Sequence, residues 1–313
     1  MADKKYPLQY DPTYRVVTAN DLIKGRQKMS LREAQLLFIA ISQVVHADKD
    51  FKTYTTTVPE LAAFMDIDEN SLYRDLEGIC TSLCSQVVKI QVGGENAKKS
   101  KKWKIFHWIS SAMYDNGKLT LRLSDDIKPY LLELDAHYAQ PFLGTLMTFR
   151  SYYAIRLYQY LLADIGSKWG KIYEWNFTCE QLRDLFQPYI RDDKGNIIKA
   201  LYSRNYDLVR KTIKPALKEL GESDFAYVWD YEEHRAAKRG NPLESVSFKA
   251  ILFENKEKKD FYLKRVKPFA AQYNAERSAA IATQEPAGAD KKEEYEQIAF
   301  TGCEGMTEPI DKE

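Results

Sequence analysis

The sequence carries one pattern of apolar residues twice, and this internal repeat constrains the fold more than any other feature. At an offset of 121 residues, Leu36, Ile39 and Ala40 are matched by Leu157, Tyr160 and Leu161, and Leu61, Phe64 and Met65 by Leu182, Leu185 and Phe186. Beyond an insertion at Gln187 to Tyr202 the offset becomes about 137, where Leu76, Ile79 and Leu83 match Ile213, Ala216 and Leu220. Matched helices at one offset indicate two copies of a single structural unit.

The first copy predicts a helix, a short strand and a helix-turn-helix in that order. Ser30 to Val45 has a wide apolar face, and Glu33 follows the candidate N-cap Ser30 as in a capping box. The Thr-rich segment from Tyr54 to Val58 favours a strand, and Pro59 suits the first turn of a short helix. After a polar turn, a further amphipathic helix begins at Ser71.

A β-hairpin is expected after these helices. Val87 to Val92 is rich in β-branched residues and Trp103 to Tyr114 has alternating aromatic residues, so both segments are predicted to be strands. Asp115-Asn116-Gly117 is a turn signal because Asn and Gly accept the positive φ angles of a tight hairpin. A returning strand follows at 119–123. This order of elements is that of a winged helix, with the hairpin as its wing.

The second copy has the same order. Its predicted helices are Tyr152 to Ile165, Thr178 to Phe186 and Ser203 to Leu220, and its strand pair is Phe225 to Tyr231 with Ser245 to Phe253. We therefore predict an α+β protein with two tandem winged-helix domains, residues 15–137 and 138–255. Residues 1–14 are expected to be a flexible N-terminus, 256–278 a short C-terminal helix and 279–313 a disordered acidic tail.

Charge is unevenly distributed along a chain whose formal net charge is only +1. Residues 279–313 hold three lysines against nine acidic residues, a net of −6, which leaves +7 for residues 1–278. Residues 199–218 carry six basic side chains against Asp207 alone. A second basic cluster comprises Lys98, Lys99, Lys101, Lys102 and Lys104. A uniformly basic coat is excluded, and each cluster is either a phosphate-binding surface or a merely solvated one.

No pattern typical of an enzyme is present in the sequence. Gly93-Gly94 lacks the Gly-Lys-Ser/Thr of a phosphate-binding loop, and the four histidines are isolated from one another. Cys80 and Cys84 share a helix face, without further Cys or His at a zinc-ligand spacing. We therefore expect no catalytic residue, no metal site and no cofactor.

Membrane association is not expected either. No apolar run approaches the roughly 20 residues of a membrane span, and residues 1–11 lack the apolar stretch of a signal peptide. We expect a cytoplasmic protein.

The two helix-turn-helix units offer different side chains to DNA. The second helix of such a unit enters the major groove, where its N-terminal and outward residues meet base edges. The first copy offers Ser71, Tyr73 and Arg74, with acidic neighbours that oppose phosphate. The second copy offers a mixture in which Arg and Asn suit base edges and Lys suits phosphate: Arg204, Asn205, Arg210, Lys211 and Lys214.

Two further groups complete the candidate DNA-binding residues. Lys98, Lys99, Lys101 and Lys102, which we assign to the wing loop of the first domain, are expected to lie along the DNA backbone and to add affinity without sequence information. Lys238 and Arg239 occupy the corresponding turn of the second domain.

Several motifs support a family resemblance. In the first domain they are Asn20-Asp21-Leu22-Ile23 and Leu31-Arg32-Glu33-Ala34-Gln35-Leu36-Leu37. In the second they are Ser151-Tyr152-Tyr153-Ala154-Ile155-Arg156-Leu157-Tyr158, Glu180-Gln181-Leu182-Arg183, the run Arg210-Lys211-Thr212-Ile213-Lys214-Pro215-Ala216-Leu217-Lys218-Glu219-Leu220, Lys238-Arg239-Gly240 and Val246-Ser247-Phe248. In this order, over residues 15–255, they resemble the iteron-binding replication initiators of plasmids, which have two winged-helix domains.

The resemblance implies a sequence-specific initiator whose two domains bind one direct repeat of double-stranded origin DNA in successive major grooves. It also implies that bound copies help to open an A+T-rich region and recruit the host replication initiator and the replicative helicase. Such proteins interconvert between monomers and dimers, and the dimer represses its own promoter.

Two other classes of function remain open at this point. One is a winged-helix transcriptional regulator that binds an inverted repeat as a stable dimer, and the other is an interaction protein whose winged helices have lost DNA binding. Several direct repeats beside the gene would favour initiation, whereas one palindrome would favour regulation.

Overall fold

The structure, a computed structural model, describes residues 5–45, 47–91, 102–134, 136–191, 197–237 and 240–268. Its helices are α1 (Asn20–Lys24), α2 (Leu31–Ile41), α3 (Val58–Met65), α4 (Glu69–Ser85), α5 (Lys128–Leu131), α6 (Leu143–Thr148), α7 (Tyr152–Ile165), α8 (Cys179–Phe186), α9 (Asn205–Lys211), α10 (Ile213–Glu222) and α11 (Lys256–Phe261). Its strands are β1 (Lys5–Pro7), β2 (Thr18–Ala19), β3 (Thr53–Thr57), β4 (Val87–Gln91), β5 (Trp103–His107), β6 (Ile109–Asp115), β7 (Lys118–Leu123), β8 (Tyr138–Ala139), β9 (Ile172–Thr178), β10 (Tyr189–Arg191), β11 (Ile197–Ala200), β12 (Ala226–Arg235) and β13 (Leu243–Leu252).

The chain forms two winged helices of the same topology, as the internal repeat predicts. The first combines α2, α3 and α4 with a sheet of order β1-β3-β7-β6, and the second combines α7 to α10 with a sheet of order β12-β13-β9. In the first sheet β7, the last strand of the unit, lies between β3 and β6. In the second sheet β13, again the last strand, lies between β9 and β12. In each case the flanking strands are the one after the long helix (β3, β9) and the one that enters the wing (β6, β12).

The caps of the helices repeat at the offset of 121 residues. Ser30 and Ser151 accept the hydrogen bonds that begin α2 and α7. Thr57 and Thr178 form capping boxes at the starts of α3 and α8. Asp66 and Gln187 end those helices with left-handed φ angles of 51° and 44°. These local signals determine where each helix begins and ends, because they satisfy the unpaired backbone groups of its terminal turns.

Apolar side chains of both units pack into one continuous buried cluster. Leu36 of α2 and Leu157 of α7 are among its fully buried members. Strand β8 pairs with β2, and a bridge joins Arg15 to Phe142. The residues at the expected domain boundary therefore lie against the start of the first unit.

The predicted strand from Trp103 to Tyr114 is in fact two strands. It divides at Trp108, whose side chain is buried, into β5, which pairs with β4, and β6, which pairs with β7. The tight turn of the wing joins β6 to β7, with φ angles of 47° at Asn116 and 79° at Gly117. In the sequence Lys98, Lys99, Lys101 and Lys102 lie between β4 and β5, and Lys104 lies in β5, so the assignment of this cluster to the wing loop was wrong.

The predicted helix from Ser203 to Leu220 is broken at Thr212 into α9 and α10. Pro215 explains the break, since proline cannot donate to the carbonyl group of Lys211 and its ring crowds that group. Thr212 adopts φ −122° and ψ −74°, outside the helical region.

Other boundaries differ by a few residues. The insertion between α8 and α9 contains the paired strands β10 and β11. The long first helix ends at Ile41 rather than Val45. After α11 the chain continues as a π-helical turn, Tyr262–Val266. The expected tail, 279–313, lies outside the described residues, as do the N-terminal four residues of the expected flexible start.

Candidate nucleic-acid interface

The start of α9 is fixed by hydrogen bonds from two other elements. The Nδ2 of Asn205 donates to the carbonyl of Leu243 on β13 at 2.7 Å, and its Oδ1 accepts from Nη2 of Arg183 on α8 at 3.1 Å. Arg183 also donates to the carbonyl groups of Tyr202 and Ser203. Both ends of the Asn205 amide are therefore used within the protein, which gives this candidate base reader a structural role.

The outward face of α9 is cationic. Arg204 and Arg210 have side chains that are 84% and 54% exposed, and both pair with Asp207, at 3.0 and 3.5 Å. Lys211 is exposed, and no ion pair in the described part of the chain holds its ammonium group. The inward residues Leu208 and Val209 are buried against the second unit. The helix thus presents three cations, with one acid to orient two of them.

Tyr206 is a further exposed residue of this face, and it was not among the sequence-based candidates. It is 52% exposed, and the guanidinium carbon of Arg210 lies 5.8 Å from the centre of its ring. An exposed tyrosine beside an arginine offers both a ring face and a hydroxyl group to a ligand. Its position one residue after Asn205 was the signal that could have identified it.

Lys214 is joined to the wing strand β12. Its Nζ lies 2.5 Å from Oε1 of Glu233, and Arg235 pairs with the other oxygen of Glu233 at 3.1 Å. Tyr231 donates its hydroxyl hydrogen to Glu233 at 3.2 Å. The hydrogen bond from Lys214 is the main cause that lowers the pKa of Glu233. Lys214 is therefore partly neutralised, whereas Lys211 is not.

The wing of the second unit is closed by two hydrogen bonds. The N–H of Ala236 donates to the carbonyl of Pro242, and Nη1 of Arg235 donates to that of Asn241. Gly240 adopts a φ of 84°. The candidates Lys238 and Arg239 belong to this loop but lie outside the described residues.

The recognition helix of the first unit, α4, presents a less basic face. Asp68 caps it by accepting from the N–H of Ser71 at 2.8 Å, and this bond is the largest cause that lowers the pKa of Asp68. Tyr73 is exposed, and the 73% exposed side chain of Arg74 pairs with Asp75 at 2.9 Å. Glu69, Asp75 and Glu77 outnumber the one cation on this exposed face.

The β4–β5 ribbon carries the described part of the lysine cluster. Lys102 and Lys104 are exposed, whereas Lys98, Lys99 and Lys101 lie outside the described residues. Trp103 and Ile105 are exposed on the same ribbon, and Nζ of Lys89 lies 5.0 Å from the ring centre of Trp103. This surface is mixed, with apolar and basic side chains together.

Other kinds of site have no candidate in the described part of the chain. Within the ranges that the structure describes, no group of three or more His, Cys, Asp or Glu side chains could hold a metal ion. None of the described helices is long and apolar enough to cross a membrane. Burial raises the pKa of Cys80 to about 11, which keeps this thiol protonated.

The fold defines a protein of the tandem winged-helix class, and the exposed cationic face of α9 is its candidate nucleic-acid surface. The model of a family described as "Initiator Replication protein, WH1" matches residues 15–162. The match covers the first winged helix and the start of the second, and the resemblance found in the sequence motifs is confirmed.

Two relatives extend the comparison. A "Replication initiation protein" of Escherichia coli is 24% identical over 242 residues, which are 76% of this chain and 69% of the relative. The crystal structure of the Pi initiator protein in complex with iteron DNA matches with a TM-score of 0.59 and 20% identity, over 78% of this chain and 100% of that chain. At this level of identity the structural match supports the fold, including the second unit that lies mostly beyond residue 162.

Proposed function

We propose that this protein binds the direct repeats, or iterons, of a plasmid origin and initiates replication there. The observation that carries the proposal is the exposed cationic face of α9, formed by Arg204, Arg210 and Lys211. In a winged helix this position faces the major groove. The match of residues 15–162 to the initiator family and the iteron DNA bound by the structurally similar Pi initiator support the same function.

The second unit is the principal reader of DNA sequence in this proposal. Arg210 reads a base edge, since its guanidinium group can form two hydrogen bonds with guanine. Arg204 and Lys211 pair with phosphate, together with Lys238 and Arg239 of the wing. Asn205 positions α9 and does not read a base, and Lys214 supports the groove-facing surface through Glu233.

The first unit acts as a clamp on the DNA backbone. Tyr73 and Arg74 of α4, with Ser71 at its start, approach the adjacent major groove. The acidic residues around them weaken phosphate binding. The lysines between β4 and β5 supply affinity that does not depend on sequence.

The remaining steps of initiation follow from this binding mode. Several bound copies strain the duplex and help to open a neighbouring A+T-rich region, so no hydrolysis is needed. The bound array recruits the host initiator and the replicative helicase, and a dimer of the same protein represses its own promoter.

The experiment that tests this function uses the DNA on either side of the gene. Overlapping duplexes are titrated with the full chain at several salt concentrations, and the bound duplexes are footprinted. We expect protection of several direct repeats of about 20 base pairs each, the length that two successive major grooves on one face require. The control variant Lys218→Ala removes an exposed cation of α10 that pairs with Glu222 and should bind normally.

Two outcomes would contradict this function. Protection of a single palindrome would identify a transcriptional regulator. Equal affinity for every duplex at every salt concentration would show that sequence recognition has been lost.

A further inference from the structure

Arg156 of α7 is buried between the two winged helices without an acidic partner. Its side chain is only 1% exposed. Nη1 donates to the carbonyl of Ile23 at 2.7 Å, and Nη2 donates to the carbonyl of Gly25 at 3.1 Å. Among the residues that the structure describes, no carboxylate pairs with the guanidinium group, and Nε has no hydrogen-bond partner. Such a costly buried charge is retained here to bind two peptide carbonyl groups.

The two acceptors belong to the C-terminal end of α1. The last carbonyl groups of a helix lack partners within it and carry the negative end of the helix dipole, so a cation stabilises them. Gly25 leaves no room for a side chain, since a Cβ would lie 2.8 Å from Cγ2 of Val88 on β4. Arg26 then exchanges two backbone hydrogen bonds of 2.9 Å with Lys89. The segment 23–26 is therefore attached to the first unit through β4 and to the second through Arg156.

The other polar contacts between this segment and the second unit are more exposed. Lys24 pairs with Asp164 at 2.6 Å and Arg26 with Asp184 at 2.8 Å, and all four side chains are at least 29% exposed. Exposed ion pairs contribute little, and salt weakens them further. Loss of the Arg156 donors would instead leave two carbonyl groups buried without partners. Arg156 is thus the dominant polar link at this position.

We propose that Arg156 fixes the orientation of the second winged helix relative to the first, and thereby sets the spacing of the two DNA segments that the units contact. The inference rests on the proposed binding of DNA by both units. Arg156 is a positioning residue, because it is buried and cannot touch DNA. Arginine suits the role since its planar fork reaches both carbonyl groups, whereas lysine presents a single ammonium group.

The test measures preference for spacing. The full chain is titrated with the footprinted repeat, with the same repeat carrying one inserted base pair between its two halves, and with each half alone. One extra base pair moves the halves apart by about 3.4 Å and rotates one relative to the other by about 35°. We expect the wild type to prefer the natural spacing by about tenfold or more. Arg156→Lys should reduce this preference to about threefold or less, with the affinity for each half unchanged.

Three matched variants separate positioning from loss of stability. Gly25→Ala displaces the carbonyl group that accepts from Arg156 and should reduce the spacing preference, although Arg156 itself is unchanged. This variant provides the test if Arg156→Lys does not fold. Leu157→Ala leaves a cavity beside Arg156 in the same helix and should keep the wild-type preference wherever it is folded. Lys24→Ala removes an exposed pair and should also keep it.

The outcomes are distinguishable. A folded Arg156→Lys protein with the wild-type spacing preference would overturn the proposal. So would an equal loss of affinity for both halves and all spacings, since that pattern belongs to a merely structural residue. A wild type that binds no repeat would refute the proposed function itself.

Discussion

The Nζ atom of Lys214 lies 2.5 Å from Oε1 of Glu233, and this contact joins the second half of the broken recognition helix to the wing strand β12. It lowers the pKa of Glu233 below its usual value of 4.5. Because the folded pKa is depressed, the contact stabilises the protein above pH 4.5, and the contribution is lost as the pH falls through the folded value.

Replacement of Lys214 with Met should therefore raise the pKa of Glu233 towards 4.5, because the main cause of the depression is removed while Arg235 and Tyr231 remain. The titration of the side-chain carboxyl carbon of Glu233, followed by NMR, checks this. Lys218→Met is the matched control and should leave that pKa unchanged. A low pKa in the Lys214 variant would show that Arg235 and Tyr231 are sufficient to depress it.

Arg210→Ala should weaken binding to the repeat by about 1 to 3 kcal/mol and relax the preference at particular base pairs, as expected when a base edge is no longer bound. Lys211→Ala should weaken binding to all DNA sequences alike, because it removes one phosphate contact. It should also reduce the slope of log affinity against log salt concentration by about 0.9. Binding to the repeat and to scrambled DNA at several salt concentrations measures both effects. An equal loss of affinity for repeat and scrambled DNA in Arg210→Ala would show that Arg210 contacts the DNA backbone rather than a base.

Simultaneous replacement of Lys101 and Lys102 with Ala should likewise lower affinity for every sequence and flatten the salt dependence, by about 0.9 in slope for each phosphate group that the protein no longer neutralises. The same titrations detect it. If this pair proves sequence-selective while Arg210 is neutral, the two units have exchanged roles and the first is the reader.

Leu157→Ala should destabilise the protein by about 2 to 5 kcal/mol, since Leu157 is fully buried in α7 and the substitution leaves a cavity. Chemical denaturation measures the change in free energy of unfolding. The exposed Lys168→Ala should change it by less than about 0.5 kcal/mol. Unchanged stability with loss of DNA binding alone would contradict the structural role of this helix.

Truncation after Ser278 should preserve specific affinity, or raise it slightly at low salt, because residues 279–313 carry a net charge of −6 that opposes DNA. Titrations of the truncated and full chains at two salt concentrations compare them. A large loss of specific affinity in the folded, truncated chain would refute this expectation.

The sequence predicted those parts of the fold that depend on local signals. The cap at Ser30 and the turn at Asn116 were predicted, since each involves residues within a few positions of one another. The caps at Thr57, Ser151 and Thr178 are equally local but were not predicted. The internal repeat then supplied the topology. The broken helix was also readable in principle, because Pro215 forbids a continuous one.

The partners of the candidate site residues could not be read in this way. Asn205 is a plausible adenine reader by type, but Arg183 and Leu243, 22 and 38 residues away, occupy its amide. Lys214 meets Glu233 only because β12 packs on α10. Residue type predicts which groups can bind DNA, whereas long-range packing decides which of them are free to do so.

The break at Thr212 has an evolutionary consequence. Since α9 is a separate segment of seven residues, about 10 Å long, its outward side chains can be exchanged without disturbing the packing of α10 on α7. In the proposed function, a change in the sequence of the origin repeats would therefore require only a few substitutions in α9, with little effect on the folding of the whole chain.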